Sequence, residues 1–299
     1  MLLMIRPAAF TMNTQTVVNN YFQSLQGDQP SSIQLKALEE FDAMVAKLRA
    51  ANVEVIVVQD EAEPHTPDSI FPNNWVSFHD NGYVLYPMFA PNRRLERVLD
   101  IWSSLPPMKC LFDMSGEEQH NRFLEGTGSL VLDRYHSIAY AALSARTDRK
   151  LVEDWCERMN YTSVMFESFQ SVGEKRLPIY HTNVMMCMGN QFVIICLDSI
   201  PNEQEKQMLL DSFVQTQKEV ITISQDQLNH FAGNMLQVFD INEKPHLNMS
   251  EQAYNSLKTE QVKSLEKYNP ILPISIPTIE ALGGGSTRCM MAEIYLINK

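Results

Sequence analysis

An α/β fold is predicted by two observations. Short apolar runs with strand character alternate with helix-periodic segments from end to end, and a strand-rich unit with one helix recurs roughly every 50 to 60 residues. The recurrence suggests internal pseudo-symmetry, although no clear sequence repeat accompanies it. At 299 residues the chain can bury a full core, and no low-complexity linker divides it, so one domain over residues 1–299 is expected.

The elements follow in order. A first strand is expected at residues 5–10. Ser31 and Gln34 have the spacing of a capping box, opening a helix whose apolar residues Leu38, Phe41, Val45 and Leu48 step by three and four. Residues 53–58 then read as a buried strand. Further strands are expected at 84–89, 129–133, 138–142, 162–166, 192–197, 219–223 and 235–239, with helices at 148–159 and 204–216. Residues 225–231 are helix-like, and a last strand is expected at 292–297, after a glycine run.

Composition excludes several classes. Lys and Arg total 24 against 36 Asp and Glu, a formal charge of -12, which opposes phosphate backbones and anionic lipid surfaces. Neither nucleic acid nor a membrane is an expected partner. The apolar patch at residues 1–5 runs into Arg6-Pro7, too short for a signal-peptide core, and no stretch approaches the roughly 20 apolar residues of a membrane span. A cytoplasmic location is expected. The five cysteines, Cys110, Cys156, Cys187, Cys196 and Cys289, show no CxxC spacing, so neither a disulfide framework nor a zinc site is indicated.

Chemistry concentrates in a few motifs. In Gly283-Gly284-Gly285-Ser286-Thr287-Arg288-Cys289 a cysteine follows three glycines, which suit positive φ or a close approach to the main chain. It reads as an activated nucleophile or as a flexible turn with an incidental thiol. His181-Thr182-Asn183 interrupts an apolar, strand-like run; alone it is a structural histidine, but beside a thiol an imidazole can take and return protons. His230 is the rival base. Glu125 stands on a tight glycine turn, Glu125-Gly126-Thr127-Gly128, where it could orient a histidine, bind a cationic substrate or be solvated. That turn lacks the third glycine of a dinucleotide fingerprint, so no nucleotide cofactor is expected. Asp68, Asn73 and Asn74 lie in a proline-broken loop that also reads as an Asx turn. Arg93, Arg94 and Arg146 follow strands, where a guanidinium fork could hold a carboxylate or form a surface ion pair.

Taken together and in order, these segments resemble the guanidine-modifying enzyme superfamily of dimethylarginine dimethylaminohydrolases, arginine deiminases and amidinotransferases. Asp68-Ser69-Ile70-Phe71 through Asn74 is similar to its substrate loop, residues 90–94 and 144–147 to its two arginine-bearing segments, and Glu125-Gly126 to its acid turn. His181 matches the catalytic histidine, and residues 283–289 the nucleophile loop. The resemblance implies a five-bladed α/β propeller, or pentein, of ββαβ-type units. Where guanidinium-acting members carry acids this chain has Asn73, Asn74 and Asn183, a change that favours a neutral ureido group over a cation. In this respect the pattern most resembles citrulline-utilisation hydrolases.

The resemblance therefore implies a hydrolase of a C–N bond in an arginine-like amino acid, with citrulline as the expected substrate and a covalent cysteine intermediate. Cys289 would be the nucleophile, His181 the proton carrier and Glu125 its orienting partner. Asp68, Asn73, Asn74 and Asn183 would line the head-group pocket, and Arg93 with Arg146 would hold the α-carboxylate. No metal or organic cofactor is implied, and a homo-oligomer is an open possibility. A guanidine hydrolase or deiminase, an amidinotransferase and a non-enzymatic binding propeller stand as alternatives. Residues 11–20, polar and following the first strand, are the expected lid.

Overall fold

The computed structural model describes residues 1–24, 29–80 and 82–295. Among these residues the strands form five three-stranded sheets and one two-stranded ribbon. All five sheets share one plan, a central strand with one antiparallel and one parallel neighbour. Leu2–Arg6 lies between Ala292–Glu293 and Val55–Gln59. Gly82–Leu85 lies between Val76–His79 and Cys110–Asp113. Ile138–Leu143 lies between Val131–Asp133 and Thr162–Glu167. Phe192–Ile195 lies between Met186–Met188 and Glu219–Thr222. Pro245–Ser250 lies between Leu236–Phe239 and Ile271–Ile274. In each case the first-named neighbour is antiparallel.

A parallel pair needs a crossover. Helices Pro30–Ala50, Arg149–Met159 and Glu203–Gln215 supply three of them, and Glu251–Ser256 with Thr259–Glu266 a fourth. Local chemistry sets their starts. The Asp148 carboxylate accepts from Leu151 N at 3.1 Å, and Asn202 Oδ1 accepts from Gln204 N at 2.9 Å. Helix Arg149–Met159 then buries Leu151, Val152, Trp155 and Cys156, and ends at Asn160 in the left-handed region (φ 57°).

Several expected elements differ. The first strand is Leu2–Arg6 rather than 5–10, because Pro7 has no N–H for the ladder. Residues 7–10 are instead held by Gln34, which donates to Pro7 O at 2.8 Å and accepts from Phe10 N at 2.6 Å. That use of Gln34 replaces the expected capping box, and the helix begins at Pro30 without a side-chain cap. The apolar run around His181 is not a strand. It comprises Lys175–Pro178, paired with Phe169–Val172, then a helical turn at Thr182–Met185 and the strand Met186–Met188. The last strand covers Ala292–Glu293, and residues 296 and 297 lie outside the described residues. No helix among the described residues is long and apolar enough to cross a membrane.

The antiparallel strands are the ones that meet between sheets. Ala292–Glu293 lies against Val76–His79, and Met186–Met188 touches both Val131–Asp133 and Leu236–Phe239. One buried ion pair crosses such a junction. Lys218 Nζ lies 2.9 Å from Asp133 Oδ2 and donates to Gly189 O and Asn190 O at 3.1 and 2.8 Å. Removing one member of a buried pair strands the other charge, whereas removing both does not. Lys218→Ala is therefore expected to cost about 3 kcal/mol in urea unfolding, and the Lys218→Met/Asp133→Asn double variant to recover most of it.

Candidate active site

Five short turns converge at one end of these antiparallel strands, each just before the strand it feeds. They are Pro72–Asn74, Gly126–Ser129, Thr182–Met185, the turn at 231–234 and Thr287–Met290. Gly126–Ser129 contacts both Pro72–Asn74 and Thr182–Met185, and Pro72–Asn74 contacts Thr287–Met290. The chain thus delivers Asn73 and Asn74, Glu125, His181 and Cys289 to one place. Asn20, Asp68, Phe71, Asn74, Arg93, Arg146, Tyr180, His181, Gly283–Gly285 and Cys289 line a common cleft.

Glu125 is fully buried behind this cleft. Its Oε2 accepts from His181 Nε2 at 2.7 Å and lies 3.4 Å from Arg146 Nη1, and its Oε1 accepts from Phe89 N at 2.9 Å. Burial by itself would raise this carboxyl, but Arg146 and the His181 hydrogen bond together hold it well below the usual carboxylate range. His181 is 2% exposed, and burial lowers it to about 4 against the opposing pull of Glu125. The imidazole is therefore neutral near pH 7. Because Glu125 only accepts, Nε2 carries the ring hydrogen and Nδ1 is the basic atom. A Cβ added at Gly128 would fall 2.8 Å from Nδ1 and 2.5 Å from Asn74 Nδ2, so glycine there keeps these two groups facing one space.

Cys289 is buried at 4% exposure, and its Sγ accepts hydrogen bonds from Asn183 Nδ2 at 3.6 Å and Asn234 Nδ2 at 3.3 Å. The glycine run serves both expected purposes. Gly284 ends helix Pro277–Gly283 with φ +63°, and Gly283 and Gly285 admit the outer end of the Phe71 ring, which a Cβ would meet at 2.8 and 3.0 Å. Helix residue Glu280 accepts from Ser286 Oγ at 2.6 Å beneath the loop.

The remaining polar side chains are distributed unevenly. Asp68 is buried, accepts from Asn13 Nδ2 at 2.7 Å, and is raised by burial against the pull of Arg93. Arg93 is 2% exposed, with Nε and Nη2 on Glu96 at 2.7 and 3.0 Å and Nη1 on Asn74 Oδ1 at 2.7 Å. Arg146 lies over the Tyr180 ring at 4.8 Å, and its Nε and Nη2 both reach Asn19 Oδ1. Asn73 turns away toward Thr127 Oγ1 at 3.3 Å, and Asn183 sits behind Cys289 rather than on the cleft wall. Four buried atoms of this set have no partner among the described residues: Asp68 Oδ1, Asn73 Oδ1, Asn74 Nδ2 and Asn183 Oδ1. His230 is half-buried and outside the cleft, with Nδ1 2.8 Å from Asp226 O. Arg94 donates to Met88 O and Phe89 O. Asn234 was not singled out from the sequence, where it is one asparagine in an unremarkable turn.

Among the described residues no group of three His, Cys, Asp or Glu could hold a metal ion. Titration of the loop support gives a pH signature. Burial raises Glu280 to about 7 from 4.5, so its contribution to stability is full below pH 4.5 and is lost as pH rises through about 7. His181 acts in the opposite sense, costing stability as pH falls from 6.5 toward about 4. Glu280→Gln is expected to gain on the unaltered protein by about 3 kcal/mol between pH 4.5 and 7, at 1.36 kcal/mol per unit, in paired urea titrations.

A family model described as N,N dimethylarginine dimethylhydrolase, eukaryotic, matches residues 6–296. A search of curated proteins returned no match. Among solved structures, the chain resembles the N-terminal domain of ArgZ, an arginine dihydrolase from the ornithine-ammonia cycle in cyanobacteria. The identity is 15%, the TM-score 0.75, and the coverage 99% of this chain and 98% of that one. Unliganded AgrE gives 15% identity and a TM-score of 0.76, with all of this chain covering 40% of AgrE. DDAH from Pseudomonas aeruginosa, a cysteine-to-serine variant with citrulline, gives 14% identity, a TM-score of 0.65 and 97% coverage of each chain. At such identities the structural likeness carries the mixed α/β fold. The family model spans nearly the whole sequence, and the chain belongs to the N,N dimethylarginine dimethylhydrolase family, in its eukaryotic type.

Proposed function

We propose that the protein is a cysteine hydrolase that cleaves the ureido group of citrulline. One observation carries the choice of a neutral head group. Arg93 Nη1 can only donate, so Asn74 turns its oxygen to it at 2.7 Å and its Nδ2 the other way, where that donor is buried and unpartnered. A ureido carbonyl would accept from Nδ2, while ureido N–H groups would meet Asp68 Oδ1. A guanidinium offers donors alone and leaves the Asn74 N–H unmatched, a cost of about 1–3 kcal/mol.

In this reading the Cys289 proton passes to His181 Nδ1 and the sulfur attacks the ureido carbon, forming an S–C bond. The C–N bond to the side chain breaks as His181 returns the proton to the departing nitrogen, releasing ornithine and leaving an S-carbamoyl cysteine. Water, deprotonated by the same Nδ1, then displaces the sulfur to give carbamate, which decomposes to ammonia and carbon dioxide. Glu125 keeps the imidazole in the required tautomer. A covalent intermediate has been captured in the N-terminal domain of ArgZ, a protein of the same fold, which supports such a step.

Arg146 is assigned the substrate α-carboxylate; Arg93, expected to share it, has its nitrogens taken by Glu96, Asn74 and Phe71 O and acts on the head-group side through Asn74. The Arg146 fork is occupied by Asn19, and the cleft offers only about 20 Å³, so residues 11–20 are assigned as the lid that withdraws when substrate enters. The shared plan of the five sheets and the meeting of their antiparallel strands support a five-bladed propeller formed by residues 1–299 as one domain. Arginine dihydrolysis is the second reading, favoured by the buried Asp68 and Glu125 carboxylates.

Ornithine and ammonia released from citrulline, measured beside arginine, test the assignment. Citrulline is expected to give the higher kcat/KM, and Cys289→Ser to abolish turnover of both; preference for arginine or surviving activity in Cys289→Ser would sink it. Asn74→Asp restores a charge-assisted acceptor and is expected to raise the arginine-to-citrulline kcat/KM ratio by about tenfold or more.

A further inference from the structure

We propose that Asn234 is a positioning residue for the reaction, aiming an N–H at the Cys289 sulfur so that it stabilises the thiolate formed as the proton passes to His181, and locking its loop to the segment that carries His181. This rests on the reading of Cys289 as nucleophile. Asn234 is 1% exposed, and both the oxygen and the nitrogen of its carboxamide are engaged. Its Oδ1 accepts from Arg288 N at 3.1 Å. A backbone N–H can only donate, so this bond fixes which end of the carboxamide is oxygen and turns Nδ2 toward the sulfur. Nδ2 lies 3.3 Å from Sγ and donates also to Asn183 O at 3.0 Å. The alternative bond, from a thiol Sγ to Asn234 Oδ1, is longer at 3.8 Å and competes with the Arg288 N–H.

One side chain therefore joins three things: the residue before the nucleophile, the nucleophile itself and the backbone two residues after His181. Its own position is built. Phe231 adopts φ +60°, Asn234 N donates to Phe231 O at 2.8 Å, and Gly233 presses so closely on the next segment that a Cβ would fall 2.3 Å from Val184 O. The second donor to the sulfur is the neighbouring Asn183 carboxamide. Two neutral N–H groups from side chains only 1% exposed stabilise a developing anion there. Before proton transfer the imidazole gives the sulfur no N–H of its own, since its Nε2–H is committed to Glu125.

The test follows iodoacetamide labelling of Cys289 against pH, with the site identified by mass spectrometry, and needs no substrate. Asn234→Asp keeps the acceptor for Arg288 N and replaces the donor by a carboxylate oxygen. Asn234→Ala removes both. Labelling at pH 7 is expected to slow roughly tenfold in Asn234→Ala and further in Asn234→Asp, with the midpoint of the labelling profile moved up by about one unit or more. A merely structural residue would lower Tm without moving that midpoint. In the unaltered protein the Asn234 side-chain NH2, followed by NMR, is expected to titrate with the labelling midpoint, a readout that survives a variant that fails to fold. Labelling unchanged in either folded variant, or a side-chain NH2 indifferent to that titration, overturns the proposal. Failure to turn over citrulline alongside a shifted labelling profile would overturn only the substrate assignment.

Discussion

The buried carboxylate of Glu125 organises everything around it. One oxygen binds the His181 ring and faces the Arg146 guanidinium, and the other accepts the Phe89 amide from the loop that follows strand Gly82–Leu85. An isolated carboxylate in such surroundings would cost several kcal/mol, so the charge exists there only because cation, imidazole and amide surround it. The dependence runs both ways. Without Glu125 the Arg146 charge would be stranded and the histidine would lose the contact that selects its tautomer.

A second network, Asp68, Arg93, Glu96 and Asn74, adjoins the same cleft and works by the same logic. The Arg93 fork gripped by Glu96 is rigid, and its remaining contact dictates how the Asn74 carboxamide lies. Charge buried for structural reasons thereby decides the hydrogen-bonding character of a neutral group at the cleft. Protein interiors hold such clusters only when their members satisfy one another, which ties the lie of the Asn74 carboxamide to Arg93 and Glu96 together.

Much of this was readable from the chain. Central strands such as Ile138–Leu143 and Phe192–Ile195 are continuous apolar runs, and helix Arg149–Met159 has both periodicity and an Asp148 cap. The edge strand Cys110–Asp113 is half exposed and carries no such pattern. Gln34 shows how a correct local signal can be overridden, because the turn at Pro7 competes for the same amide. The positions of His181, Glu125 and Cys289 were marked by unusual neighbours. Asn234 was not, since what distinguishes it is its place in the chain: it lies before the antiparallel strand Leu236–Phe239 as Asn74, Ser129, Met185 and Met290 lie before theirs. Knowing the sheet plan would have exposed it.

The strand Ala292–Glu293 joins the same sheet as Leu2–Arg6, near the other end of the sequence. The loop bearing Cys289 comes immediately before it and is anchored on its outgoing side by that pairing. The other four sheets are formed within residues 76–274, so none of them depends on this segment. The sulfur thus meets the Asn183 and Asn234 amides beside a strand that closes its sheet on a distant part of the chain, so one long-range pairing holds the thiol in its polar surroundings.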